Sequence, residues 1–526
     1  MFLMSNKNSI ELNYSKEVSL EHRKKFAQFF TPYSIAELMA EWLLGNENLR
    51  TVLEPAFGLG VFSRILLSKK NNISIKGFEI DNLIFEKAQK EFSGTENLSL
   101  LLEDYMYNDW RNKYDGIICN PPYFKFHDYD NKSVLKEIET NLKCKLNGFT
   151  NLYTLFLLKS IHQLNPNGRC AYIIPSEFLN SDYGKLVKTH LLKTGTLRHI
   201  IVFNFEENVF DDALTTASII LCANDNKTNN VQFTNIQSVT QLNTIEKLIT
   251  DYPQPSDNSK TYSLSELDPK IKWKMYYQPQ NGNKFNNLVP FSTYAKVVRG
   301  IATGANNYFS FNLSKARKYN IDERYLLPCV CHSTDVQGNF FTKSSFEELK
   351  QKDKNIFLIN AVNADNENIT KYLIKGEQEE INKKFLTANR SPWYSLEKRP
   401  PAPIWVSVFN RTGLRFVRNE ANVSNLTTFH CIYPQSNMFS DISIDLLFAY
   451  LLTNTARQIF EDNSREYGNG LQKFEPNDLN KGKMLDLGKL QVNAKQKIED
   501  LFLKNLNCKN RQFVDEIDNI FVENFS

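Results

Sequence analysis

Long apolar runs and metal-binding spacings are both missing from this chain of 526 residues. No uninterrupted apolar stretch reaches the roughly 20 residues that a membrane-spanning helix needs. The seven histidines include no H-E-x-x-H motif and the eight cysteines include no C-x-x-C pair, which removes the usual signatures of metal hydrolases and zinc clamps. The first 25 residues are polar and charged, unlike a signal peptide. We therefore expect a cytoplasmic protein with free thiols, no membrane contact and no bound metal.

The chain also has little excess of positive over negative residues, because its net charge is only +4. Residues 1–250 carry a net charge of −1 and residues 251–526 a net charge of +5. A half that contacts nucleic-acid phosphates would show such a bias. A solvated surface explains so small an excess equally well.

The first half of the chain alternates short apolar segments with helical ones. Strands are predicted at 51–53, 73–79, 98–102, 114–119 and 170–174, with 198–203 and 217–222 closing the sheet. Helices are predicted at 61–67, from the turn after residue 79 to about residue 92, and at 152–164. This alternation is typical of an α/β fold with a mostly parallel, doubly wound sheet, here of seven strands.

The composition changes after residue 223, where the chain becomes rich in Asn, Thr, Ser, Gln and Lys. We place a boundary region at 251–285, between a first domain at 1–250 and a second at 286–526. The second domain mixes aromatic, proline and basic residues without regular alternation, so we expect a mixed α+β fold there.

Acidic residues and glycines stand where the predicted strands end, which is where open α/β sheets bind ligands. Glu54 and Pro55 begin a turn that contains Gly58 and Gly60, and this turn resembles the cofactor loop of methyltransferases. Glu79 ends the second strand, where an acid can accept both ribose hydroxyls of a nucleoside. Asp104 ends the third strand, and its carboxylate could accept a hydrogen bond from the adenine amine of the cofactor. An ordinary tight turn and exposed strand-end acids remain the alternatives.

The tetrapeptide Asn120-Pro121-Pro122-Tyr123 follows the fourth strand and is the most specific signal. Its two prolines fix the backbone and remove two N–H donors. The Asn120 side-chain oxygen and the Pro121 carbonyl can together hold the two hydrogens of an exocyclic amine and expose its lone pair for methylation. Tyr123 can stack on the base, a contact that contributes about 1–3 kcal/mol. The alternative is a proline turn that carries a surface tyrosine.

A base inside a duplex cannot reach such a site, so the enzyme would have to flip the base out. Phe210 could supply a second stacking face, although a buried core phenylalanine is the simpler interpretation of the sequence alone.

With these motifs, the chain resembles the gamma-class DNA adenine-N6 methyltransferases of bacterial restriction–modification systems. The resemblance covers nearly the whole chain and implies a Rossmann-like catalytic domain followed by a target-recognition domain. Residues 28–32 are similar to the family's opening motif, with Thr31 also suited to cap a helix that starts at Pro32. The resemblance implies that S-adenosylmethionine is bound by Thr31, Glu54, Pro55, Ala56, Gly58, Gly60, Glu79, Ile80, Asp104, Tyr105 and Asn120. It implies that the target adenine is held by Asn120, Pro121, Pro122, Tyr123 and Phe210.

Two segments of the second half, 299–306 and 465–474, are similar to segments of the family's recognition domain. The partners implied are double-stranded DNA and a separate endonuclease that cuts the same site, and we expect a monomer. Candidate DNA contacts, each of which could equally be a core or surface residue, are Trp393, Tyr394, Arg411, Arg415 and Arg418.

Other functions stay open at this point. Protein-glutamine methyltransferases use the same tetrapeptide, and RNA adenine is a possible substrate, but the long second half argues against both. Cytosine-N4 methyltransferases have related motifs, but they usually carry Ser in place of Asn120. A non-catalytic DNA-specificity subunit is a further alternative, but it would lack the intact set of cofactor residues. A fused restriction nuclease is another, but we find no convincing nuclease motif.

Overall fold

Two compact units make up the chain in a computed structural model. The structure describes residues 9–123, 132–142, 151–203, 217–238, 241–362, 366–410, 413–435, 442–467, 471–505 and 512–526. The first unit comprises Met1–Pro279 with Arg465–Gly470, and the second Gln280–Ser464 with Leu471–Ser526. Within the described residues, no helix is both long enough and apolar enough to cross a bilayer.

The first unit is built on one nine-stranded sheet. Its strands are β1 (Thr51–Glu54), β2 (Ser74–Glu79), β3 (Leu98–Leu102), β4 (Tyr114–Cys119), β5 (Leu164–Pro175), β6 (Leu197–Phe203), β7 (Ala217–Ala223), β8 (Asn230–Ile236) and β9 (Lys260–Ser263). They lie in the order β3-β2-β1-β4-β5-β7-β6-β8-β9. The first five strands in this order, β3, β2, β1, β4 and β5, are parallel to one another. Strand β7 is antiparallel to both of its neighbours. The predicted α/β fold with a mostly parallel sheet is confirmed.

The helices of this unit surround the sheet. They are α1 (Ser9–Glu17), α2 (Leu20–Lys25), α3 (Tyr33–Leu44), α4 (Val61–Lys69), α5 (Asn82–Glu91), α6 (Lys132–Leu142), α7 (Leu152–His162), α8 (Gly184–Thr194), α9 (Leu242–Thr250) and α10 (Lys274–Tyr277). Side chains of successive strand residues point to opposite faces. Ile117 and Tyr172 accordingly pack in one core with α7 and α8, and Ile118 and Ile173 in the other with α3, α4 and α9.

The sheet has two more strands than the seven predicted. Strands β8 and β9 come from the polar stretch after residue 223, whose composition predicted no strand. Two buried polar side chains of β8 find partners in the segment after it, whereas Oδ1 of Asn235 has none among the described residues. Gln232 on β8 donates to the carbonyl of Gln254, and the Thr234 hydroxyl lies 2.7 Å from that of Ser259. A strand that hydrogen-bonds its buried polar groups can be buried without an apolar pattern. The two units divide between Pro279 and Gln280, and β9 and α10, which lie in the predicted boundary region, belong to the first.

The second unit has a mixed architecture, as predicted. Its largest sheet has five strands in the order Ala295–Arg299, Phe429–Pro434, Ile404–Ser407, Phe416–Asn419 and Phe340–Phe341. The last pair is parallel and the other pairs are antiparallel. Shorter strands are Leu288–Pro290, Ser310–Phe311, Leu326–Val330, Phe357–Ile359, Phe409–Asn410, Ser424–Asn425, Leu471–Lys473 and Lys483–Leu485, and the strand Arg465–Tyr467 is grouped with the first unit. The helices are Asn306–Phe309, Leu313–Lys318, Lys343–Gln351, Glu367–Gln378, Phe385–Ala388, Ile444–Leu452, Asn454–Glu461, Pro476–Asn480, Val492–Lys504 and Gln512–Phe525.

Trp42 on α3 joins the helix layer to the sheet in the first unit. Its side chain is fully buried, and its indole N–H donates to the carbonyl of Cys222 on β7 over 3.2 Å. The guanidinium of Arg169 lies 4.6 Å from the ring centroid and donates to the Trp42 carbonyl.

We predict that Trp42→Ala destabilises the first unit by about 3–5 kcal/mol, because it leaves a cavity and an unpaired carbonyl. Urea denaturation followed by circular dichroism measures the change. The matched control is Val492→Ala at an exposed position, for which we expect a change within about 0.5 kcal/mol. Equal unfolding midpoints for the two variants would contradict the assignment of Trp42 to the core.

Candidate active site

The carboxyl ends of β3, β2, β1 and β4 lie side by side and border one cavity of about 860 Å³. The structure brings together at this cavity all of the residues predicted to bind the cofactor: Thr31, Glu54, Pro55, Ala56, Gly58, Gly60, Glu79, Ile80, Asp104, Tyr105 and Asn120. They come from segments nearly 90 residues apart, so the topology of the sheet is what assembles them.

The turn between β1 and α4 needs both of its glycines. Gly58 and Gly60 have φ values of +55° and +70°, a region that L side chains rarely adopt. At Gly60 a Cβ atom would also lie 2.6 Å from ring atoms of Phe57 and Phe92. The turn therefore keeps its backbone close to the cavity, where a ligand can approach it.

Glu79 is fixed by three backbone N–H groups of the same cavity. Its carboxylate accepts from Gly58 at 2.9 Å, from Ile80 at 2.8 Å and from Asp81 at 3.0 Å. Burial raises the pKa of Glu79, and these hydrogen bonds oppose the shift. A carboxylate offers about four lone-pair positions, so acceptor capacity remains for a ligand hydroxyl.

Glu54 is a buried acid with one unsatisfied oxygen. The Ser63 hydroxyl donates to its Oε2, whereas Oε1 has no hydrogen-bond partner among the described residues. Burial raises the pKa of Glu54 to about 8. A buried acceptor without a partner is costly unless a ligand supplies the donor, and a cationic donor would also offset the burial of the carboxylate. Glu54 therefore fits an ammonium group of a ligand in this cavity.

The amide of Asn120 is oriented by the segment before α3. Its Nδ2 donates to the carbonyl of Phe29 at 2.8 Å and to Thr31 Oγ1 at 3.0 Å. A carbonyl can only accept, so the nitrogen must face Phe29 and both amide hydrogens are used. The side-chain oxygen is the atom left to accept from a ligand. Thr31 was also predicted to cap α3, but the helix begins at Tyr33, Pro32 is the N-cap and no side chain caps it.

Tyr123 lies in an aromatic group beside Asn120. Its hydroxyl donates to the carbonyl of Ile173 over 3.2 Å. Its ring lies 6.0 Å from that of Phe29, centroid to centroid, with 16° between the planes, and meets Tyr153 edge-on. Pro122 lines the cavity and Pro121 is buried next to it. Of the residues predicted to hold the target base, only Phe210 lies outside the described residues.

The segment predicted as the family's opening motif, residues 28–32, lines the cavity with Gln28, Phe29, Phe30 and Thr31. Sequence reasoning missed Glu11, Phe26 and Ala27, which line the cavity from the segment before that motif. The segment is held in place by Glu11, which pairs with Arg64, and by Asp81, which accepts from Gln28 at 2.6 Å and contacts His22 at 2.8 Å. The aromatic run just before Thr31 was the available signal.

Candidate DNA contacts in the second unit have internal partners. Arg415 donates to the carbonyls of Val336 and Ser333, and Arg418 donates to Asp445 at 3.1 Å. Trp393 donates to Glu377 and packs on Tyr308, and its ring meets that of Tyr394 edge-on. These contacts favour a structural role for the two arginines. Arg411 lies outside the described residues, as do residues 468–470 of the segment 465–474.

Comparisons with known sequences agree with this geometry. The family described as "Eco57I restriction-modification methylase" matches residues 33–210, and "Type II methyltransferase M.Eco57I, C-terminal domain" matches residues 280–521. The chain is 68% identical to type II methyltransferase M.AccI from Acinetobacter calcoaceticus, over 99% of this chain and 97% of that protein. It is 22% identical to M.XamI from Xanthomonas campestris pv. amaranthicola, over 88% of this chain and 86% of that one.

Two solved structures share the fold. The type IIL restriction-modification enzyme MmeI, in complex with DNA, superposes with a TM-score of 0.52 at 14% identity, over 99% of this chain and 74% of that one. A nuclease-deletion mutant of the type ISP enzyme LlaGI, in complex with a DNA substrate mimic, gives 0.56 at 12% identity, over 94% of this chain and 56% of that one. On the evidence of the M.AccI match, this chain belongs to the type II methyltransferases of restriction–modification systems, which implies methylation of DNA with S-adenosylmethionine.

Proposed function

We propose that this protein transfers the methyl group of S-adenosylmethionine to the N6 amine of adenine in double-stranded DNA, as a monomer that protects sites of a separate endonuclease. The observation that carries the proposal is the orientation of Asn120. With both amide hydrogens bound to Phe29 and Thr31, its oxygen can only accept. The group held at this position must therefore bring a hydrogen-bond donor, as an exocyclic amine does.

The residues of the cavity fit S-adenosylmethionine, which supplies an electrophilic methyl group when bound. Glu79 would accept from the ribose hydroxyls and Asp104 from the adenine amine. Glu54, whose Oε1 has no partner among the described residues, would accept from the ammonium of the methionine part. Thr31 accepts from Asn120 through its oxygen, so its own proton remains to be donated into the cavity.

The target amine would be held by two acceptors, Asn120 Oδ1 and the carbonyl of Pro121. Hydrogen bonds from both amine hydrogens draw the nitrogen toward tetrahedral geometry and expose its lone pair. No strong base is needed, because the proton can leave after the nitrogen has become cationic. Tyr123 would stack on the flipped base, and we propose Phe210 for its second face.

Sequencing DNA from cells that express the protein, with a readout of modified adenines, tests the proposal directly. We expect N6-methyladenine at one short recognition sequence. Modified cytosines alone, or DNA without modification, would overturn the assignment of the target.

We predict that Asn120→Ala lowers kcat by about 10²–10³-fold, the usual cost of losing one group that stabilises a transition state. Most of the cofactor affinity should remain, because Glu54 and Glu79 are unchanged. Methyl transfer to DNA and calorimetric cofactor binding measure the two effects. The matched control is exposed Asn48→Ala, which should turn over like the wild type. Near-normal turnover of the Asn120 variant would contradict the amine site.

Thr31→Val is predicted to lower kcat roughly 10-fold, since a buried N–H of Asn120 loses its acceptor, at a cost of about 1–3 kcal/mol. Thr31→Ser keeps the hydroxyl and should restore most of the rate. Steady-state kinetics should show the change in kcat with little change in KM for DNA. A Ser variant as slow as the Val variant would argue against positioning through the hydroxyl.

A third prediction concerns protons released on cofactor binding. Glu54 has a pKa of about 8 without ligand and is mostly protonated at pH 7. An ammonium beside it lowers that pKa, so binding expels about one proton and affinity rises as pH rises from 6 to 7. Calorimetry at pH 7 in buffers of different ionisation enthalpy measures the release. Glu54→Gln should abolish it, and an unchanged release in that variant would assign the proton to another group.

A further inference from the structure

A second cavity, of about 1,270 Å³, lies in the second unit. It is bordered by the glycine turn, residues 302–306, and by the tip, residues 381–390. Its walls also include the helix Glu367–Gln378 and Lys315. Neither the turn nor the tip contains a residue that sequence analysis proposed as a DNA contact.

The tip is fastened to the glycine turn. The guanidinium of Arg390 donates to the carbonyls of Ala302 and Thr303. Gly304 has a φ of +78°, and a Cβ atom there would lie 2.8 Å from Leu386 Cβ. Inside the tip, buried Thr387 donates to the carbonyl of Ile381. The tip is therefore a rigid element rather than a loose loop.

Three cations around the cavity lack acidic partners. Lys315 donates to the carbonyls of Asn307, Tyr308 and Ser310. Arg390 donates to carbonyls, as described, and Lys384 is exposed on the rim. In the part of the chain that the structure describes, no carboxylate forms a salt bridge with any of these three, whereas neighbouring Lys375 pairs with Glu379 at 3.5 Å. Burial lowers the pKa of Lys315 to about 8, so most of it is still charged at pH 7. Because Lys315 and Arg390 already donate to carbonyls, Lys384 is the cation at this rim that remains exposed to an anion.

Phe385 is the other unusual feature of the tip. Its side chain is 83% exposed, and that of the next residue, Leu386, is 37% exposed. A large exposed aromatic side chain on a rigid element is apolar surface that binding can cover. Lys383, which pairs with Glu380 at 2.8 Å, and Lys384 precede it directly, so the charge of Lys384 adjoins this apolar surface. Proteins that deform DNA combine apolar wedges, often Phe or Leu, with such basic neighbours.

We propose that the tip and its cavity form a contact surface for duplex DNA, in which Lys384 meets a phosphate and Phe385 inserts between base pairs. This inference rests on the proposed function only in taking duplex DNA as the substrate. A wedge of this kind unstacks a base step and kinks the duplex.

Binding to a labelled, mixed-sequence 30-base-pair duplex at several salt concentrations tests the phosphate contact. We expect Lys384→Ala to reduce the slope of log affinity against log salt by about one. Exposed Lys352→Ala, outside the tip, is the matched control and should leave the slope unchanged. Equal slopes for Lys384→Ala and the wild type would overturn the contact.

The wedge is tested on the same duplex with a fluorophore at each end. We expect Phe385→Ala to bind at least 10-fold more weakly and to lose the change in energy transfer that reports bending, while the salt slope stays the same. Phe385→Leu should keep most of both effects, and exposed Phe409→Ala is the control. Wild-type bending by Phe385→Ala would overturn the wedge.

These measurements need no methyl transfer, so they separate the two proposals. Loss of bending in Phe385→Ala, together with unmodified adenines in cells, would support the DNA surface and reject adenine methylation. All variants should unfold in urea at the wild-type midpoint, which shows that the second unit is folded.

Discussion

Two hydrogen bonds to the amide of Asn120 are the constraint on which the active site depends. They join the end of β4 to residues 29–31, about 90 positions earlier in the chain. Because the carbonyl of Phe29 can only accept, the pair decides which amide atom faces a ligand. The same segment covers the cofactor cavity with Phe26, Phe29 and Phe30. A single segment therefore covers the cavity and orients the amide that we propose to hold the methyl acceptor.

The sheet supplies the rest of the site through its topology. Parallel strands present their carboxyl ends at one edge, so acids that end separate strands become neighbours. The two glutamates then differ in their hydrogen-bond partners. Glu79 accepts three backbone N–H groups, whereas Glu54 has one oxygen without a partner in the described part of the chain. This difference fits a ligand with neutral hydroxyls at one end and a cation at the other.

The second unit shows why basic residues are poor guides to a DNA surface when only the sequence is known. Arg415 and Arg418 stand in a segment rich in aromatic and basic residues, yet both donate to groups inside the unit. Arg390 fastens the tip to the glycine turn, and Phe385 is exposed on that tip. Whether a cation is available to a phosphate depends on its partners, which lie far away along the chain.

The sequence by itself determined the α/β fold and the strands that carry the motifs, and its family resemblance supplied part of the set of residues that line the cavity. Those features depend on local patterns, namely apolar runs of strand length, glycine turns and prolines that fix the backbone. Tertiary structure alone decided that the polar strands β8 and β9 join the sheet, since the buried amide of Gln232 and the buried hydroxyl of Thr234 on β8 need partners from other segments. It also decided the orientation of Asn120 and the exposure of Phe385, because both depend on contacts between segments distant in sequence.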